Sequence, residues 1–247
     1  MRNKLLFVLS ILPLATSCSG FPISREEAVN IVNNVEAGLA TLQVTAYTAT
    51  STTVANDSET KIVSIYSRES KFFHTYTIES RNNGRVSESW RFVMPYQYET
   101  REGQKTDDFI FDVNRRVTPT SVNADLEEQY VVAYELYTIE AWKVYADDYE
   151  NRVIKRFADS LTHCRSLLAN TLNEVELKSF NGNSLFLGSK QSSSGTSTQS
   201  TEYEIFISNN QLMSVKNSTN KTNYTETTYK YASGDINYPS FKKINII

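Results

Sequence analysis

Apolar and polar residues alternate along this chain with two different periods, and the places where the period changes mark its elements. Between Ser24 and Leu42 the apolar positions Ala28, Ile31, Val32, Val35, Leu39 and Leu42 recur at helical spacing, with Asn30, Asn33, Asn34 and Glu36 between them. Steps of three and four residues put side chains on one face of a helix, so an amphipathic helix is predicted here. Ser24 followed by Glu27 gives it a capping box, and Gly38 weakens its last turn. From residue 43 the period falls to two, the signature of strands. Strands are predicted over 44–54, 61–68, 71–81, 85–98 and 108–113, with Asn82-Asn83-Gly84 as a tight turn. In the longest of them one parity reads Val86, Glu88, Trp90, Phe92, Met94, Tyr96, Tyr98, and the other begins Ser87, Ser89, Arg91. That is a strand with one wet face, bent near Pro95.

The centre of the chain returns to the helical period. Leu126, Tyr130, Ala133, Tyr134, Tyr137 and Ala141 fall on one stripe over 125–145. After Asp147, read as a helix cap, Tyr149, Val153, Phe157, Leu161, Cys164, Leu168 and Leu172 form a second stripe. A helical hairpin, or one bent helical segment, is predicted to interrupt the sheet. Strands then resume over 177–180 and 184–191 around Asn181-Gly182-Asn183, and over 202–208 and 211–217 around Asn209-Asn210. A polar loop is expected at 192–200, a last long strand at 223–232, and a closing segment at 235–241. No internal repeat or domain boundary interrupts residues 24–247, which read as a single domain.

The formal net charge of -3 is spread along the chain without a basic stripe, which removes the electrostatic footprint of a nucleic-acid partner. Eight glycines and five prolines are too few for a disordered chain, and the abundant Tyr, Thr, Ser and Asn suit strands with a polar outer face. Of the two histidines, His74 shares parity with Phe72, Tyr76 and Ile78 and reads as a hydrogen-bonded inward side chain. His163 adjoins Cys164, but neighbours on a helix point in different directions, which argues against a Cys–His nucleophile pair. Asp107-Asp108 reads as a turn before a strand, and Asp147-Asp148 as favourable charge at a helix start. The sequence has no clustered metal ligands, phosphate loop, dinucleotide fingerprint or serine elbow. The expectation is a non-enzymatic chain with no metal and no cofactor.

The amino terminus carries the reading of location. Arg2 and Lys4 precede an apolar run over 5–14, which is too short to cross a bilayer and ends in small residues, so residues 1–17 read as a signal peptide. Ala15 and Ser17 satisfy an ordinary secretory cleavage site, with Cys18 incidental. Cys18 directly after Leu14-Ala15-Thr16-Ser17, and followed by Ser19 and Gly20, resembles the lipobox of bacterial lipoproteins. That resemblance implies a diacylglycerol (palmitate-type chains) on the Cys18 thiol, residues 18–23 as a lipidated tether, and a protein anchored to the extracytoplasmic face of a cell membrane. Cys164 then has no disulfide partner; a Cys18–Cys164 disulfide becomes possible only if Cys18 is not lipidated.

The order helix, antiparallel strands, helical centre, antiparallel strands, with the closing run Tyr229-Lys230-Tyr231…Ile236-Asn237-Tyr238-Pro239, resembles the LolA-like superfamily of lipoprotein carriers and lipid-binding lipoproteins. The resemblance implies an α+β fold: a curved, incompletely closed antiparallel sheet covered by an N-terminal helix and a central helical hairpin. It also implies an apolar cavity on the concave face. The candidates to line it are Phe72, Tyr76, Trp90, Phe92, Tyr96, Tyr98, Phe109, Tyr229 and Tyr231, with tyrosine hydroxyls at the mouth. Ordinary packing of these residues against the helices is the plainer alternative. The partners expected are the membrane, a lipid or other apolar ligand, and a protein of the cell envelope.

Overall fold

The computed structural model describes residues 21–80, 84–117, 129–135, 139–170, 174–180, 184–192, 200–220, 222–232 and 234–236. The predicted signal peptide, Cys18, and the predicted turns at 82–83 and 181–183 lie outside these residues, as do most of the predicted 192–200 loop and the predicted closing segment beyond 236.

The chain runs β1 (Phe21–Pro22), α1 (Arg25–Leu39), β2 (Ala46–Ala55), β3 (Ser58–Ser67), β4 (Phe72–Ser80), β5 (Arg85–Thr100), β6 (Gly103–Val117), β7 (Gln129–Glu135), α2 (Ile139–Ala169), β8 (Glu174–Phe180), β9 (Ser184–Ser192), β10 (Ser200–Ser208), β11 (Gln211–Asn220) and β12 (Asn223–Lys230). The strands form one sheet in the order β1-β8-β9-β10-β11-β12-β2-β3-β4-β5-β6-β7. Every pairing is antiparallel. Two meanders, β2–β7 and β8–β12, are joined where β12 pairs with β2, and β1 and β7 are the open edges among the described residues.

Helix α1 begins as its sequence predicts. The Ser24 side chain accepts from the Glu27 N–H at 3.2 Å, and Glu27 accepts from the Ser24 N–H at 2.7 Å. Asn209 and Asn210 both sit at positive φ (49° and 58°), as a two-residue hairpin between right-twisted strands requires. Gly38 is needed for a different reason from the one its helix propensity suggests. A Cβ there would come within 2.4 Å of the Asn210 side-chain nitrogen, so the glycine lets α1 approach that hairpin. Strand β5 pairs with β6 without a break through Pro95, whose missing N–H falls beyond the last β4–β5 pair, Phe72–Phe92.

The central region corrects the prediction of a helical hairpin. Residues 129–135 are a strand paired with β6 from Arg116–Gln129 to Ile110–Glu135, and one 31-residue helix follows. The topology supplies the reason. The chain leaves the sheet at its last strand, β7, and must re-enter at β8, ten strand positions away. Ten spacings of roughly 4.8 Å come to about 48 Å. A 31-residue helix rising about 1.5 Å per residue spans about 46 Å. A hairpin would have brought the chain back to the edge it had just left. Asp147 and Asp148 therefore lie inside the helix and not at its start. Asp147 accepts from Arg68, and Asp148 pairs with Arg152 at 2.6 Å.

Both helices cover one face of the sheet. Ala28, Val32, Val153, Phe157, Leu161 and Cys164 meet Tyr47, Tyr66, Leu187, Ile207 and Leu212 in the main core. No basic residue occupies the last turn of α2, and Arg25 of α1 takes that role, donating to the carbonyls of Leu168 (2.8 Å) and Asn170 (3.1 Å). At the other end of the interface the Tyr66 hydroxyl, on a fully buried side chain, donates to Glu150 at 3.1 Å. Arg68 bridges Glu150 and Asp147.

Candidate functional site

The nine aromatic candidates do not share a face. Cross-strand partners project to the same side of a sheet, and the ladder separates the candidates into two sets. Phe72 is paired with Phe92, and Phe92 with Phe111. Their alternates, Phe73, Val93 and Ile110, belong to the helix-covered core. Phe72, Trp90, Phe92 and Phe109 thus form a second core on the opposite face, with Tyr96 and Tyr98 packed against it. Tyr76 has the same parity as Phe72 but is not part of that cluster. These seven residues do not line the space between helices and sheet, which corrects the expected cavity. Phe72, Phe92 and Phe111 are 0, 1 and 2 % exposed, and Tyr96 meets Phe109 edge-on at 5.4 Å, so this face is packed.

His74 lies in the same layer, stacked on Trp90 with centroids 5.0 Å apart and planes 6° from parallel. Its Nε2 is buried without a hydrogen-bond partner, contrary to the expectation of a hydrogen-bonded side chain, and burial lowers its pKa. His163 has the same status and meets Tyr203 edge-on at 4.7 Å. Cys164 is free and fully buried, its thiol pushed up to about 12 by that burial, so it behaves as a small apolar side chain. Asp107 and Asp108 sit inside β6 and not in a turn. Asp107 accepts from the Tyr98 hydroxyl, and Asp108 lies 3.6 Å from Lys71.

Of the nine candidates only Tyr229 and Tyr231 reach the helix-covered face, and Tyr229 opens onto a cleft of about 440 Å³ between α2 and four strands. The sheet side of the cleft is two neighbouring rungs of the ladder. Val215, Thr227, Ser51 and Ile62 form one, across β11, β12, β2 and β3; Tyr229, Ala49 and Ser64 form the other. Small side chains at Ala49, Ser51 and Ser64 leave room that a Leu or Phe would fill. The opposite wall is a single turn of α2: Arg156, Asp159 and Ser160. Positions three and four apart share a face, so the three side chains line the cleft together. No protein-family model matches the chain, and no curated protein matches it.

Most of the polar groups in the cleft are already engaged. Thr227 Oγ1 donates to Ser51 Oγ at 3.1 Å, Ser160 Oγ to the Arg156 carbonyl at 2.8 Å, and Lys155 to Asp159 at 2.7 Å. Arg156 Nη1 donates to the Tyr229 hydroxyl at 3.3 Å, a contact that raises the guanidinium's already high pKa. Ile62 is 37 % exposed at the mouth, and Leu212 and Tyr229 close the floor. A second hollow of about 470 Å³ beside β1 and β8 offers less, since Arg25 is committed to the end of α2 and Lys178 to Glu176 at 2.6 Å.

Sequence parity could point to Tyr229 but not to Arg156, Ser51, Ala49 or Leu212. Those positions carry no motif, and they converge only because β12 pairs with β2 and α2 crosses above them. Among the described residues no three His, Cys, Asp or Glu side chains group as metal ligands, and no helix is long and apolar enough to cross a membrane.

Proposed function

We propose that this chain is an extracytoplasmic bacterial lipoprotein, anchored through a lipidated Cys18, whose α+β domain of LolA-like character binds a lipid or other apolar ligand between α2 and the sheet. The observation that carries this reading is the cleft itself. Its volume of about 440 Å³ falls in the usual range for small-molecule sites, and it combines apolar floor residues with two charged groups on the helix wall, Arg156 and Asp159. Two acyl chains on one cysteine give stable anchoring where a single chain gives only marginal binding. Such an anchor would hold the cleft within reach of membrane lipids.

Two experiments test the parts separately. Cys18→Ser should move the protein from the membrane to the soluble fraction; unchanged membrane association would sink the anchor. The polypeptide from Ser19 onward, purified without detergent, should bind an apolar fluorescent probe, and Ala49→Trp, which fills the cleft, should abolish that binding. Binding that survives the filled cleft would place the ligand elsewhere. The packed aromatic layer on the opposite face favours a second reading, a non-catalytic lipoprotein that meets an envelope protein and holds no ligand. The absence of any probe binding would support it.

A further inference from the structure

We propose that Arg156 makes the cleft selective for single-chain amphiphiles with an anionic head, a carboxylate or a phosphate, held at the guanidinium with the tail lying across the strands between Ile62 on β3 and Val215 on β11. This inference rests on the cleft being a ligand site. Three other arginines beside the helices are neutralised: Arg68 by Glu150 and Asp147, Arg91 by Asp112, and Arg165, between the two helices, by Glu36. Arg156 is not. Among the described residues it forms no ion pair, and its one side-chain partner is a neutral phenol at 3.3 Å. A guanidinium carries five N–H donors in a planar fork suited to carboxylate and phosphate oxygens, and most of that fork is unused here. Asp159, the acid beside it, is engaged by Lys155 and projects from the same helical turn.

The tail side of the site is equally specific in shape. Ser51, Ser64 and Ala49 hollow the sheet under Arg156, and Ile62 presents apolar surface at the mouth. A ligand with its head on Arg156 shares the cleft with one protein carboxylate, Asp159, whose charge Lys155 already engages at 2.7 Å. Because an arginine stays protonated across the accessible range, the pH dependence of binding should be that of the ligand. A fatty-acid head would lose affinity as the pH falls toward the carboxylate range of about 4–5. A phosphate monoester would keep at least one charge there and bind throughout.

The test is equilibrium binding of five probes to the chain from Ser19 onward and to its Arg156→Gln and Arg156→Lys variants. The probes are palmitate, a lysophosphatidate, a neutral monoacylglycerol, and the bare heads acetate and inorganic phosphate. At least one anionic amphiphile should bind about 10-fold or more tighter than the monoacylglycerol. Arg156→Gln should erase that preference, and Arg156→Lys should keep part of it, with both variants melting as the parent does. A monoacylglycerol that binds as tightly as palmitate and lysophosphatidate, with no effect of Arg156→Gln, would overturn the head selectivity and leave the cleft standing. Bare phosphate or acetate binding as well as the amphiphiles would overturn the tail. Failure of all five probes would remove the cleft reading and this inference with it.

Discussion

Tyr66, Glu150 and Arg68 tie α2 to the sheet beside the cleft, and removing Glu150 should show how much that tie contributes. Tyr66 is fully buried, and its hydroxyl has two acceptors: Glu150 Oε1 at 3.1 Å and the Ala146 carbonyl at 3.4 Å. Burial and the adjacent carboxylate both raise the phenol's pKa, so it acts only as a neutral donor. In Glu150→Ala the phenol keeps only the longer contact, which costs about 1–3 kcal/mol for a poorly satisfied buried donor. Arg68 keeps Asp147 and, with 31 % of its side chain exposed, can recover water, so its loss is about 0.5–1 kcal/mol. The expected total is about 1.5–4 kcal/mol. At about 2–4 °C per kcal/mol for a chain of this size, Tm should fall by roughly 3–16 °C. Tyr66→Phe removes the donor and leaves Glu150 on Arg68, at about 0.5–1.5 kcal/mol. The double variant contains no stranded phenol, so it should cost less than the sum, with a coupling of about 1–2 kcal/mol. Urea denaturation of the four proteins measures each term. A coupling below about 0.5 kcal/mol, the usual additivity error, would refute the claim that the phenol depends on Glu150.

Three further outcomes follow from the buried groups. Phe92→Ala should cost about 3–5 kcal/mol, as in any packed core, yet leave affinity for a cleft ligand within about twofold; loss of binding without loss of stability would return this residue to the ligand site. His74 and His163 have folded pKa values lowered by burial, so the unfolded chain takes up their protons first. Their contribution is present above about pH 6.5 and is lost as the pH falls through the depressed folded values. His74→Phe should therefore flatten the decline in stability between pH 7.5 and pH 5, and an unchanged slope in denaturant titrations would contradict this. Cys164 should resist a thiol reagent in the native protein and react fully in denaturant. Stoichiometric native labelling would show that α2 opens.

Much of the local structure was legible because its causes are local. The capping box at Ser24 and Glu27, the hairpin at Asn209-Asn210 and the alternation along β5 all involve residues a few positions apart. Residues 129–135 were misread because Tyr130, Ala133, Tyr134 and Tyr137 fit a helical stripe while Tyr130, Val132 and Tyr134 fit an alternating one equally well. What decided between them was the free edge of β6, a hydrogen-bonding partner that no local window contains.

The same limit explains the candidate site. By itself the sequence determined that β5 has an aromatic parity, that α1 is amphipathic, and that α2 has a continuous apolar stripe. It could not determine which face of the sheet the helices would take, because period two separates the faces without labelling them. The tertiary structure put the helices against Phe73, Val93 and Ile110, and left Phe72, Trp90 and Phe92 to a layer of their own. It also brought Arg156 over Tyr229, 73 positions later in the chain, because β12 returns to pair with β2 beneath the one helix that crosses the whole sheet. Alternation and caps are properties of neighbours along the chain, whereas a cleft is a property of strands and helices that meet only after folding.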